Sequence, residues 1–211
     1  MGTAQSGADN GATRPPRVFA PVSQRERLLD GMAQTVAERG YAATSVADVL
    51  SAAGISRRTF YERFADKEDC FLAAYDTIVA LAQERVASAC HGAPSWEQGV
   101  ESGLNALLAL LAQEPAFARL GVVEVLAAGP RGLARRDATL QRFIALLGER
   151  HKARPEPVVS PPALVAQAIV GGIYELLYSH LVRGEADRLP QLTGELLHFA
   201  LMLLGTPPRT A

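Results

Sequence analysis

Between Ser23 and Lys67 the chain places four helix-starting residues ahead of short apolar runs, and this punctuation constrains the fold more than anything else in the sequence. Ser23 stands three residues before Glu26, the spacing at which a serine and a glutamate satisfy each other's backbone N–H groups at a helix start. Leu28, Leu29, Met32 and Val36 follow at helical intervals until Gly40. Thr44 or Ser45 can cap a second helix, with Asp48 in box position after Ser45 and Val46, Val49, Leu50 and Ala53 on one side, until Gly54 ends it. Ser56 caps a third, Arg57 to Phe64, and Asp66 a fourth with Glu68 and Asp69 in its first turn, where the helix dipole favours acids.

The remainder reads the same way. Ser95 and Gln98 have capping-box spacing, and Trp96, Val100, Leu104, Leu107, Leu108 and Leu111 recur on one side until Pro115. A shorter helix is expected from about Ala116 to Ala127, broken by a turn at Gly129-Pro130-Arg131-Gly132. An arginine-rich amphipathic helix follows near Leu133 to His151, with Leu140, Phe143, Ile144 and Leu147 inward. The Pro-rich run RPEPVVSPP leads through Ser160, as cap, to long helices near Pro161 to Arg183 and Asp187 to Leu204, stopped by Gly205, Pro207 and Pro208. No stretch alternates as a strand would, so the expected class is all-α with about nine helices.

The third helix carries the chemistry. Phe60 and Phe64, four residues apart, share a face that can close a small core with Val46, Val49, Leu50, Ala53, Ile55 and the first helix. That fixes the helix angle and turns Arg57, Arg58, Thr59 and Tyr61 outward, as in a helix-turn-helix whose second helix enters the major groove. The two arginines suit guanine edges or phosphates, Thr59 and Tyr61 suit phosphate oxygens or a thymine methyl, and Lys67 can add a phosphate contact. Glu62 either pairs with Arg58 four residues earlier and orients it or accepts from a cytosine amino group. The net charge of −1 offers no global attraction to a polyanion, so binding must come from this local patch.

Residues 38–76, ERGYAATSVADVLSAAGISRRTFYERFADKEDCFLAAYD, resemble the DNA-binding region of the tetracycline-repressor (TetR) family of bacterial regulators. The Thr44-Ser45 cap, Asp48, Ala53-Gly54-Ile55-Ser56, Thr59-Phe60-Tyr61, Phe64 and Lys67-Glu68 carry the likeness, which covers roughly residues 23 to 76. The resemblance implies DNA contacts at Thr44, Ser45, Arg57, Arg58, Thr59, Tyr61, Arg63 and Lys67, although the charged pair Glu62-Arg63 departs from the family's usual aromatic character there. Residues 1–22, rich in Gly, Ala, Thr and Pro and without apolar periodicity, read as a flexible arm, with Arg14 and Arg17 on a solvated tail, phosphate contact being the other reading. The resemblance further implies a DNA-binding domain over 23–69, a helical ligand-binding and dimerisation domain over 70–205 and a tail over 206–211. The function so implied is a cytoplasmic regulator, a repressor that binds a palindromic operator on double-stranded DNA as a homodimer and is released by a small-molecule effector. The alternative is a co-activator whose helix-turn-helix contacts protein instead of DNA.

The C-terminal half supports an interface directly. The last two helices, with Leu164, Val165, Ile169, Ile173, Leu176, Leu177, Leu181 and then Leu189, Leu196, Leu197, Leu201 and Leu204, are apolar on more than one face, so a second copy can cover the outer side. Gly171 and Gly172 read as a close helix approach, and Trp96, Phe117, Phe143, Tyr174 and Tyr178 are the candidate walls of a ligand pocket. Arg131, Arg135, Arg136 and Arg142 read as a solvated face, an anionic ligand being the other reading. Cys70 and Cys90 lack metal or redox spacing and read as buried apolar groups, and Gly99 to Gly103 has GxxxG spacing of little weight in a soluble chain. No HExxH, GxSxG or GxxxxGK[ST] is present, so neither enzyme nor cofactor or metal chemistry is expected. No run of about 18 or more uncharged apolar residues suggests a membrane span.

Overall fold

A computed structural model describes residues 19–152 and 163–204. Arg14, Arg17, most of the N-terminal arm, the Pro-rich run with Ser160, the Gly205–Pro208 stop and the tail lie outside the described residues. Among those described, nine α-helices and two 3-10 segments form without a strand. Helices α1 (Gln24–Arg39), α2 (Val46–Ala53) and α3 (Arg57–Tyr61) form a small head, and α4 (Lys67–His91) runs from it into a bundle. The bundle comprises α5 (Trp96–Gln113), α6 (Pro115–Val122), α7 (Gly129–Lys152), α8 (Ala163–Val182) and α9 (Thr193–Leu203).

The caps are where the spacing places them. Ser23 and Glu26 close a reciprocal box on α1, and Ser45 and Asp48 do the same on α2. Ser56, Asp66 and Ser95 each accept from a backbone N–H in the first turn of their helices. At the end of α2, Gly54 takes the left-handed conformation (φ 62°) that residues with a Cβ avoid.

Four expectations change. Helix α3 stops at Tyr61 because the chain must turn towards the Asp66 cap, yet the Phe64 N–H still reaches the Phe60 carbonyl at 2.9 Å, which keeps both rings inward. The sixth helix ends at Val122 and passes into a 3-10 turn, Glu124–Ala127. The Gly129-Pro130 turn is instead the start of α7: proline suits a first turn that lacks N–H partners, and Gly132 lies where a Cβ would come within 2.8 Å of the Val125 carbonyl. Pro190 splits the last helix, so Ala186–Leu192 is a 3-10 segment and α9 begins at Thr193.

One core cluster joins Leu28, Met32 and Val36 of α1 to Val49, Phe60 and Phe64 of the head, Phe71 and Tyr75 of α4, and Phe117 and Leu120 of α6. The packing therefore runs through residue 69 without a seam. Phe19, placed in the arm by its sequence, belongs to this core: its ring meets Phe117 edge-on at 4.9 Å and its N–H donates to the buried Glu114 carboxylate. Gly103 faces Cys90, where a Cβ would stand 2.9 Å from the sulfur, so the GxxxG spacing packs α5 closely on α4. Gly172 likewise admits the Phe199 ring of α9, whereas Gly171 faces open space.

Candidate nucleic-acid interface and internal cavity

Within the head, Phe60 is fully buried and Phe64 nearly so, their ring centroids 5.7 Å apart, and Arg57, Arg58, Tyr61, Glu62 and Arg63 are exposed. Arg58 Nε donates to Glu62 Oε1 at 2.9 Å, which is the orienting pair that the i,i+4 spacing suggests. Thr59 is half-buried, its hydroxyl 3.0 Å from that of Ser56. Ser45 is exposed at the start of α2, but the Thr44 side chain is buried and its hydroxyl donates to the Gly40 carbonyl. Thr44 is therefore a turn residue rather than a surface contact, its N–H donating to the Tyr41 carbonyl at 3.3 Å. Lys67 is similarly committed: its Nζ donates to the Tyr41 and Thr44 carbonyls at 2.9 Å each and sits 4.2 Å from the Tyr41 ring centre, leaving one of three ammonium protons.

Two positioning residues carry no local sequence signal. Arg27 of α1 reaches across to the carbonyls of Ala53 and Gly54, satisfying the C-terminal end of α2 at the turn. Gly31 is where α1 and α2 touch, since a Cβ there would lie 3.0 Å from the Ala53 nitrogen and 3.1 Å from the Val49 carbonyl. Both depend on a helix crossing, which periodicity within one helix does not encode.

A polar chain joins head and bundle. Glu124, buried after α6, accepts from the Tyr41 N–H at 2.9 Å and pairs with Arg119 at 3.3 Å, while Arg119 Nη1 donates to the Leu181 carbonyl of α8. On the outer side Arg131 pairs with Glu68, and Arg135 with Asp76, fastening α7 to α4.

Helices α4 to α9 line a cavity of about 180 Å³. Phe117, Phe143 and Tyr174 line it as the sequence suggests, but Trp96 and Tyr178 do not. Trp96 opens α5 and meets the His151 ring edge-on at 5.4 Å, and Tyr178 packs in a cluster with Leu181 and Leu189, each one turn beyond a lining residue on the same helix face, Val100 and Tyr174. Arg136 corrects the solvated reading: it turns into the cavity wall, stacking 4.4 Å from the Tyr174 ring centre, while Arg131, Arg135 and Arg142 remain outside. Its place was legible, because Arg136, Leu140, Phe143 and Leu147 share one helical stripe.

An inward aromatic pair, an outward cationic helix and a capped glycine turn define a helix-turn-helix DNA-binding transcriptional regulator. Residues 28–74 match the family model described as bacterial regulatory proteins, tetR family. The HTH-type transcriptional regulator EthR of Mycolicibacterium smegmatis is 27% identical over 173 residues, covering 81% of this chain and 79% of its own. Among solved structures, the fatty acid degradation regulator FadR from Bacillus halodurans superposes with a TM-score of 0.78 at 20% identity, covering 90% of this chain and all of its own. FadR from Bacillus subtilis, solved in complex with stearoyl-CoA, gives 0.71 at 16% identity over 82% of this chain and 96% of its own. Residues 28–74 thus match the DNA-binding region of the TetR family of bacterial regulators, and the described chain as a whole shares the fold of the TetR-like regulators it superposes on.

Proposed function

We propose that the protein is a dimeric repressor that reads a palindromic operator through α3 and leaves it when a small, largely apolar molecule enters the cavity. The reading rests above all on Phe60 and Phe64 turned inward with Arg57, Arg58, Tyr61 and Arg63 held out. Ser45, Thr59 and the remaining Lys67 proton are the proposed flanking phosphate contacts, and Thr44 serves by holding the turn that Lys67 grips.

Dimerisation is supported by α8 and α9. Helix α8 is long and apolar enough by composition to cross a membrane, yet only 22% of that stretch is buried. Leu164, Leu176, Val182, Met202 and Leu203 are exposed, and Gly171 leaves the backbone open to a close neighbour. An apolar face of this extent in a DNA-binding regulator is best covered by a second copy, which would set two heads about 34–36 Å apart on successive major grooves. Effector control is supported by the apolar cavity beside α4, whose first residue is tied to the head through Lys67.

Selection of bound fragments from the source genome, followed by gel shift against salt, tests the reading. Recovery of a two-fold site with a steep salt dependence is expected. No enriched site, or a slope near zero, would instead favour a protein-contact role for the helix-turn-helix.

A further inference from the structure

The cavity has a direction. Its α4 wall runs from Tyr75 to Cys90, about four turns or roughly 22 Å at 1.5 Å per residue. A wall of that length, apolar along all but one end, suits an extended alkyl chain.

Its polarity is confined to one end. Tyr75, Thr139, Arg136 and Tyr174 lie where α4, α7 and α8 meet nearest the head, and the far end, around Val100, Leu147 and Ile169, is apolar. The hydroxyl protons there are spent on the protein: Tyr75 donates to Thr139 at 2.9 Å, Thr139 to the Arg135 carbonyl at 2.9 Å, and Tyr174 to the Val122 carbonyl at 2.6 Å. Burial raises both tyrosine pKa values, that of Tyr75 to about 12, so these phenols stay neutral. Arg136 differs. Its Nη1 bonds Asp137 at 2.9 Å, a carboxylate 68% exposed and hence screened by solvent, while its Nε is buried without a hydrogen-bond partner. A buried donor left unpaired on a cationic fork, at the polar end of an apolar cavity, is the group that a carboxylate would satisfy side-on.

We infer that the cavity binds a straight-chain carboxylic acid, its carboxylate on Arg136 beside Tyr174 and its alkyl chain running along α4 towards Cys90. This rests on the reading of the cavity as the effector site only for its regulatory meaning, since binding itself follows from the geometry. Calorimetric titration of the full chain with palmitate, methyl palmitate and palmitoyl-coenzyme A tests it. Palmitate should bind about ten- to a hundredfold more tightly than its methyl ester, the range expected of hydrogen bonds to a charged group. Laurate should bind more weakly than palmitate, because each buried methylene adds affinity.

In Arg136→Met the preference for acid over ester should vanish, and in Arg136→Lys a point charge should restore part of it. Equal affinity for acid and ester in the unaltered protein would overturn the inference without reliance on any variant, as would a thioester that binds more tightly than the acid. Operator release is measured separately. Palmitate that binds through Arg136 and leaves operator affinity unchanged would end the effector reading and leave the site standing.

Discussion

The buried Glu124 carboxylate accepts a 2.9 Å hydrogen bond from the Tyr41 backbone N–H, so a bundle residue holds the turn between α1 and α2. Its other partner, Arg119, also holds the end of α8. Glu124→Ala would leave an arginine and an amide without their acceptor, at a cost of about 1–3 kcal/mol. Thermal unfolding should register that loss, and operator binding should weaken because the turn is released. Glu124→Gln keeps an acceptor for Tyr41 and should fall between the two.

Gly31→Ala should be more harmful than its chemistry suggests. The added methyl meets the Ala53 nitrogen and the Val49 carbonyl, both backbone, so α2 must move as a whole. A destabilisation of about 1–3 kcal/mol is expected, and an operator affinity reduced more than that of a variant altered at open Gly171. Equal effects at the two glycines would contradict the close approach.

On α3, Arg57→Ala and Arg58→Ala should each weaken operator binding and lower the salt slope by about one if the residue neutralises one phosphate. If instead the arginine reads a base edge, its loss should relax specificity at that base, at about 1–3 kcal/mol. Gel shifts over a salt series with matched and mismatched operators separate these outcomes. Neither change should affect folding, because both side chains are exposed.

Acid should loosen the head through its caps. Hydrogen bonds from the Val22 and Ser23 backbones hold the Glu26 pKa below its ordinary 4.5, and the Ser45 hydroxyl and N–H hold Asp48 below 3.8. Depressed carboxyl pKa values contribute stability above the unfolded values, and it is lost as pH falls through the folded ones. Urea midpoints should therefore decline below about pH 4.5, less steeply in Asp48→Asn, whose side chain does not titrate there.

Cys70 should resist alkylation. Burial pushes its thiol up to about 12, so at pH 8 almost no thiolate forms in the folded protein. Iodoacetamide labelling of Cys70, read by mass spectrometry, should track unfolding by urea. Rapid labelling without denaturant would contradict the packing.

Much of the head was legible because its signals are local: a serine and an acid three residues apart, a glycine at each stop, two phenylalanines four apart. Tertiary contacts set what was not. The end of α3 answers to the next cap, Pro190 overrides a strong leucine pattern, and Arg27, Gly31 and Glu124 gain their roles from helices distant in sequence. Trp96 and Tyr178 had the chemistry of pocket walls and share a face with Val100 and Tyr174, but each lies one turn past the cavity along its helix and packs into core. Arg136 failed for another reason: its charge argued for solvent more loudly than its position on the apolar stripe argued for the interior.

Lys67 binds two carbonyls of the α1–α2 turn from the first residue of α4. Head and long helix are thereby riveted at their junction, so on the proposed reading a small tilt of α4 would carry α3 with it as a pointer on a shaft instead of being absorbed by a soft joint.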